Sequence, residues 1–384
     1  MKKKSKIQVL VLGGHVQGLG IIRGLANRGL KIAVLDETNF NISRFSKYCD
    51  EFFLCPNHKV QEFINEIKLN PRFENCVIFP TNDFYVELLA KVKKKLAPNL
   101  RCAVDTWEKI NVFYSKEKSY RLATDLSIHI PKTFEVNTID EIASIEIQYP
   151  CIIKPTIMHE FYSLYKKKVI VCHNNEELKD QLIKVSSKFS LKDLLIQEII
   201  SGDNSCQFSV GAFSIEGKII RTITANRSRQ HPIDFGNATT FAITCNEPKL
   251  IEIAKRIMSE TKYTGLCEIE FKKDQKSGNY MFLEVNSRTW KWHSLCQAAN
   301  VDLIYPYYEY LISDKSHFEI QKQKDAYFQH NLTDLPTRIK MRLKNLKVIN
   351  PPKGYVKQWA VWSKKDFLPW LMEKLFLPYF IFKR

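Results

Sequence analysis

No run of apolar residues in this 384-residue chain approaches the roughly 18 that a membrane-spanning helix needs. A bilayer-crossing segment is therefore not expected. None of the ten cysteines forms C-x-x-C, and the nine histidines do not cluster with them at ligand spacing, which argues against a zinc site. Thiols scattered inside or beside apolar runs suit a reducing cytoplasm. Low-complexity tracts and internal repeats are also missing. The basic start, with lysines at 2, 3, 4 and 6, could mimic a secretory leader. The apolar run behind it, residues 7–12, is short and ends in Gly13-Gly14-His15 without a small-residue cleavage site, so it reads as a strand.

Acidic residues are scarce in one region. Residues 335–384 hold twelve lysines and arginines against two acids, Asp366 and Glu373, and with the N-terminal lysines they carry most of the net charge of +17. The body between the two ends is close to neutral. Its length suits two or three packed subdomains, and its composition is that of an ordinary globular protein.

Up to about Val112 the pattern alternates. Apolar strands near 8–13, 31–35, 52–54 and 76–79 are separated by helical patterns, with Leu19, Ile22, Leu25 and Ala26 on one face of the first. That alternation predicts a Rossmann-like parallel sheet covered by helices, over residues 1–112. Beyond it the rhythm predicts an α+β unit in two lobes, 113–192 and 193–312, followed by a basic, aromatic appendage at 313–384.

Four clusters could carry chemistry. Gly13-Gly14-His15-Val16-Gln17-Gly18-Leu19-Gly20 lies between a strand and a helix, where glycines let backbone approach an anion. Asp36 closes the next strand, as a ribose-binding acid would in a dinucleotide fold. The spacing is not G-x-G-x-x-G, and tight strand–helix packing explains it equally. Lys154 ends the strand Cys151-Ile152-Ile153, where a buried ammonium needs an anionic partner. A snorkelling surface lysine is the plainer account of that residue alone. Gln197-Glu198-Ile199, running into Ser201-Gly202-Asp203, could offer backbone polar groups to an adenine and an acid to a ribose. The fourth cluster is the most specific. Glu284 and Asn286, with Arg288 if the strand continues, alternate along one strand and so share a face, and Glu270 can join them from the partner strand. Two carboxylates and an amide oxygen suit Mg²⁺, and an adjacent arginine suits a transferring phosphoryl group.

Taken together and in this order, the clusters resemble the ATP-grasp superfamily over roughly residues 7–310. The segment "VLVLGGHVQGLGIIRGLANRGLKIAVLD" and "VIFPTNDFYVELLA" look like the pre-ATP-grasp domain of carbamoyl-phosphate-synthetase-like and D-aspartate-ligase-like members. "SKEKSYRLATDLSIHIPKTF" resembles the first lysine helix, "YPCIIKP" the second lysine strand, "LLIQEIISGDNS" the adenine hinge, and "GLCEIEFKKD" with "YMFLEVNSR" the metal hairpin. The resemblance implies a pre-ATP-grasp Rossmann-like domain followed by a two-lobed α+β ATP-grasp domain. It implies that Lys154 and Lys116, or Lys118 in its place, contact ATP phosphates. Gln197, Glu198 and Ile199 would lie at the adenine and Asp203 near the ribose. Glu270, Glu284 and Asn286 would hold Mg²⁺, two ions by the family pattern, with Mn²⁺ an alternative. Arg288, Arg227 and Arg229 would face substrate and the transferred phosphate. Two departures stand out: Ser127 occupies a position where many members have glycine, and "TIMHEFYSLYKKK" lacks the glycines that commonly close over phosphates.

The activity so implied is ATP-dependent joining of a carboxylate to an amine through an acyl phosphate. Phosphoryl transfer supplies the leaving group, so no serine or cysteine nucleophile is required. The alternatives are a catalytically inactive or regulatory nucleotide-binding relative, and a nicotinamide-dependent oxidoreductase, which leaves everything after Val112 unexplained. Small-molecule substrates are expected and nucleic acid is not, and the oligomeric state is open. The tail, with Trp359, Trp362, Phe367, Trp370, Leu371, Phe376, Leu377, Tyr379 and Phe380 among lysines, suits either an anionic membrane surface at its cytoplasmic face or packing on the body. Fluorescence titration with NADH is expected to show no stoichiometric binding, and micromolar affinity would restore the oxidoreductase reading.

Overall fold

The apolar runs of the first hundred residues assemble around the least polar of them. In the computed structural model, which describes residues 5–156, 158–236 and 238–382, strands β1 (Val9–Leu12), β2 (Ile32–Asp36), β3 (Glu51–Leu54), β4 (Cys76–Pro80) and β5 (Leu100–Cys102) form one sheet in the order β3-β2-β1-β4-β5. All pairings are parallel, and β1, β2 and β4 are buried at every residue. A parallel sheet is covered by helices on both faces, which is why these strands read as continuous apolar runs. Lys2, Lys3 and Lys4 and the side chain of Phe380 lie outside the described residues.

The glycine cluster serves this packing. Gly14 donates its N–H to Asp36 Oδ2 at 2.6 Å, and Asp36 also accepts from the Thr38 N–H at 3.0 Å. The acid that a dinucleotide fold offers to ribose here ties the β1 turn to the end of β2. A Cβ on Gly20 would stand 2.4 Å from the buried His293 ring, so the Val16–Leu25 helix seats against a distant loop only because the residue is glycine.

Two antiparallel sheets follow. The smaller comprises β6 (Thr133–Phe134), β7 (Cys151–Pro155), β8 (Ile170–Cys172) and β9 (Leu194–Glu198), in the order β6-β9-β7-β8. The larger comprises β10 (Gln207–Ile215), β11 (Lys218–His231), β12 (Ala238–Thr244), β13 (Gly265–Lys273), β14 (Tyr280–Asn286), β15 (Ala326–Gln329) and β16 (Val356–Trp359). Its order is β14-β13-β10-β11-β12-β15-β16, antiparallel except for the outermost pair.

That order changes the standing of the chain's end. From the sequence, 313–384 is expected to be an appendage; instead β15 pairs with β12, and β16 pairs with β15. The helix Asn331–Leu343 then lies on β11. Its Asp334 is fully buried and takes both Nε (2.6 Å) and a terminal nitrogen (2.9 Å) of Arg229, whose guanidinium also stacks 3.8 Å from the Phe241 ring centre. Further on, Asp366 accepts from Arg23, Ser46 and the Lys47 N–H, and Glu373 from His330 at 2.7 Å. The reason is local chemistry: a buried acid needs donors, and the body supplies them to Asp334 and Asp366, while His330 of the segment serves Glu373.

Removing one partner of a buried pair leaves the other charge uncompensated, at about 3–5 kcal/mol. Asp334→Ala should lower the urea unfolding free energy by about that amount, and the Arg229→Met/Asp334→Leu double variant should recover most of it. An Asp334→Ala loss below about 1 kcal/mol would place the pair in the class of exposed ion pairs instead.

Candidate active site

The functional cluster is built on two neighbouring strands. In the β13–β14 ladder Glu268 lies opposite Asn286, and Glu270 opposite Glu284. Four polar side chains thus form a two-by-two patch on one face, with three carboxylates in it. Like charges directly opposite destabilise a sheet unless something offsets them. Here cations arrive from elsewhere. Arg227, on β11, reaches across β10 and hydrogen-bonds Glu270, with Glu268 3.6 Å from its other terminal nitrogen. Lys116 Nζ, from the first turn of the Lys116–Asp125 helix, lies 3.3 Å from Glu284 Oε2. Trp292 donates its indole N–H to Glu268 at 2.7 Å, and the Asn286 amide donates to Glu270 at 2.8 Å. Gly211 on β10 leaves room for Trp290: a Cβ there would meet the indole at 2.1 Å.

The charges are unequal. Burial and the neighbouring Glu270 push the Glu268 carboxyl up to about 7. Burial also works against ionisation of Glu284, but Lys116, Lys168 and Lys154 together overcome it and hold the carboxyl at about 2. Lys154 is the opposite case. It is 7% exposed, and its ammonium donates to Tyr120 Oη at 2.5 Å and Gln197 Oε1 at 2.9 Å, both neutral. Burial, with the nearby Lys116 charge, holds its pKa well below the usual lysine range. A buried ammonium with only neutral acceptors favours an arriving anion.

Two clefts meet at this patch. One, of about 460 Å³, is lined by Lys154, Tyr120, Gln197, Glu198, Ile199 and Asp203, with Lys272 and Lys347 at its wall. The other, of about 890 Å³, is lined by Asp83, Glu87, Tyr114, Asn286, Arg288 and Lys291. Lys116, Lys168, Arg227, Glu270 and Glu284 border both.

Most of the expected residues therefore converge. Lys116 lines both clefts, whereas Lys118 is exposed, its N–H capped by Ser115 Oγ. Asp203 also caps a short turn through the Ser205 N–H at 2.8 Å. Arg288 donates Nε to Asp83 at 2.7 Å and a terminal nitrogen to Asn286 Oδ1 at 3.1 Å, joining the first sheet's helix Asp83–Leu96 to the ladder. Arg229 is the correction: its bond to Asp334 and its cover by the Asn331–Leu343 helix keep it out of both clefts. Ser127 has φ +51°, the left-handed region, which accounts for glycine's fitness at that position. The segment after Pro155, expected as a loop, contains the helix Met158–Tyr165, and the lysines after it place Lys168 at the clefts. Ile157 is outside the described residues.

Sequence reasoning passed over Glu268, Tyr120, Lys168 and Trp292 as site residues. Glu268 was detectable, two residues before Glu270 on the same strand face; Tyr120, four after Lys116 on one helix face, was too. Lys168 and Trp292 carried no periodic signal.

Among the described residues no three acidic, histidine or cysteine side chains converge as a metal cage. The donor set nonetheless fits Mg²⁺, which takes one or two carboxylates and leaves its other positions to water and phosphate oxygens.

The fold and this ladder define a nucleotide-binding domain of the ATP-grasp kind. Residues 115–307 match the family model described as the carbamoyl-phosphate synthase L chain, ATP binding domain, and the chain belongs to that family. A D-aspartate ligase of Enterococcus faecium (strain Aus0004) is 22% identical over 234 residues, 58% of this chain and 55% of that protein. The chain thus spans about half the length of this curated relative. Among solved structures, the biotin carboxylase domain of Hydrogenobacter thermophilus 2-oxoglutarate carboxylase superposes with a TM-score of 0.64 at 15% identity, covering 84% of this chain and 74% of that one. Staphylococcus aureus N5-carboxyaminoimidazole synthetase gives 0.64 at 12% (84% and 83%), and the Bacillus licheniformis L-amino acid ligase 0.58 at 14% (81% and 75%). At these identities the likeness is one of fold.

If Lys154 meets an anionic nucleotide, Lys154→Met should keep the unliganded melting temperature within a few degrees. It should also abolish most of the rise that Mg-ATP produces, a stabilisation of about 2.7 kcal/mol at a hundredfold excess over Kd. An undiminished rise in the variant would remove Lys154 from the nucleotide site.

Proposed function

We propose that the protein is an ATP-dependent carboxylate–amine ligase that forms an amide through an acyl phosphate. The observation that carries the reading is the acid ladder at the meeting of two clefts, with Lys116 and Lys154 on the side toward Gln197 and Glu198. ATP would occupy the smaller cleft, its adenine against Gln197, Glu198 and Ile199, its ribose near Asp203, and its phosphates against Lys116 and Lys154. The carboxylate and the amine would enter the larger one. The Mg-ADP held by the Hydrogenobacter thermophilus structure supports this assignment.

In this reading Glu270, Glu284 and Asn286 hold Mg²⁺. The metal, when bound, neutralises phosphate charge and orients the transferring group. The chain's own residues do the rest. Lys154 and Lys116 offset the charge that spreads over the phosphate oxygens. Arg288, held flat by Asp83 and Asn286, faces the larger cleft, where an acyl phosphate would form. Arg227 sits between the clefts and orients Glu270 through their hydrogen bond. The carboxylate oxygen attacks the terminal phosphorus as ADP departs; the amine then adds to the acyl carbon and phosphate leaves. Two metal ions, or Mn²⁺ in place of Mg²⁺, belong to the same proposal.

The substrate pair we infer is a small carboxylate and a small amine, and the basic tail is the observation that favours a cell-envelope or glycan precursor as one of them. The basic tail supports peripheral attachment at an anionic membrane face. No described helix is long and apolar enough to cross a membrane.

ADP and phosphate release with Mg-ATP, across a panel of amino acids, sugar acids and amines, tests the activity. One pair should give ADP in step with amide, and Glu284→Gln should lower that rate by about 10²-fold or more while leaving the fold intact. A Glu284→Gln enzyme with near-wild-type turnover would overturn the metal assignment. Amide-free ADP release with every pair would overturn the ligase reading.

A further inference from the structure

Beyond Asp325 the acids of the C-terminal segment all point inward. There the chain has three acidic residues: Asp334 and Asp366 are buried against donors of the body, and Glu373 against His330 of the segment itself. The outward surface of this stretch therefore presents basic, apolar and uncharged polar groups, and none of its acids. On the helix Asn331–Leu343 the inner face is Asp334, Thr337 and Met341, and the outer stripe is Leu335, Ile339 and Leu343, spaced four apart. Leu343 is 80% exposed. Arg338, Lys340 and Arg342 flank the stripe. On the helix Leu368–Leu375 and the residue before it, Phe367, Leu368, Leu371 and Leu375 face out, the last at 60% exposure, beside the exposed Lys364, Lys365 and Lys374. His330, which precedes the first helix, hydrogen-bonds Glu373 of the second, so the two elements meet.

Exposed leucines at helical spacing are normally a liability in water. Flanked by lysines and stripped of acids, they match the interface of an anionic bilayer, where apolar side chains enter the acyl boundary and basic ones meet headgroups. We propose that the outer faces of these two helices form a docking surface for the anionic face of a lipid bilayer. This deepens the peripheral attachment in the reading above and rests on it. The inner side of the first helix carries Met341, and the chain beyond it Leu346 and Lys347, all three lining the smaller cleft. Attachment would thus hold the enzyme by the outer surface of its own nucleotide-cleft wall.

Deleting the tail would remove β16 and the partner of Arg229, so point substitutions of the full chain are the proper test. The full-length protein is sedimented with phosphatidylglycerol–phosphatidylcholine vesicles and with pure phosphatidylcholine vesicles, alongside Leu343→Glu and Leu375→Glu. Wild type should partition to the anionic vesicles, less so as salt rises, since each basic residue near the leaflet strengthens attachment by about fivefold. Each substitution should weaken partitioning by about tenfold or more, with the Mg-ATP melting shift unchanged. Variants that pellet like wild type would overturn the assignment of these faces while leaving attachment itself standing. A wild type that pellets with neither vesicle overturns attachment and surface together, without touching the ligase reading. A dimer that Leu343→Glu splits in sedimentation velocity, with no vesicle binding, would assign the face to a second copy of the chain.

Discussion

Three carboxylates on two adjacent strands set the terms for much of this molecule. Glu268, Glu270 and Glu284 face the same way because β13 and β14 pair in a register that puts Glu270 opposite Glu284. A sheet does not tolerate that without compensation. The compensating groups come from β11 (Arg227), from the helix after the first sheet (Lys116), and from the loop after β14 (Trp292). Gathering them ties the Lys116–Asp125 helix and the loop after β14 to the larger sheet. The charge patch is thus a structural constraint as well as a chemical resource, and its balance shifts when a divalent cation and a polyanion arrive together.

Lys154 belongs to the same balance with the opposite sign. It is buried beside Lys116 and given only neutral acceptors, so the protein alone leaves its charge poorly satisfied. A site complementary to a missing anion is what phosphoryl-transfer chemistry needs, because stabilisation is greatest where negative charge spreads in the transition state. Arg229 shows how little residue type says by itself. It lies two residues from Arg227, yet one guanidinium serves the cleft and the other anchors the Asn331–Leu343 helix through Asp334.

The C-terminal segment joins the two themes. Its strands extend the larger sheet and its first helix walls the smaller cleft, so it cannot be treated as a passenger. Asp334 and Asp366 are drawn inward by donors on the body and Glu373 by His330, and several lysines and leucines are left outside. The same segregation that stabilises the junction leaves a basic and apolar outer surface on its two helices.

The sequence by itself determined the strand–helix alternation around β1 to β4 and the β13–β14 hairpin, because apolar periodicity and turn residues act locally; β5, the helix Met158–Tyr165 and β12 were not read from it. It also determined the ladder's shared face, because strand alternation is a local rule. Glu270, Glu284, Asn286 and Arg288 were expected for that reason, whereas Lys154 and Gln197 were expected only through the resemblance of the ordered motifs to a family. Only the tertiary structure decided which cations answer which acids, since Arg227 reaches its glutamates across β10 and Lys116 lies 168 residues from Glu284. It alone placed β15 and β16 at the sheet edge, hid Arg229, and turned Asp334, Asp366 and Glu373 inward. Pairings between distant segments depend on register and on what covers each face, and neither is written in the spacing of neighbouring residues.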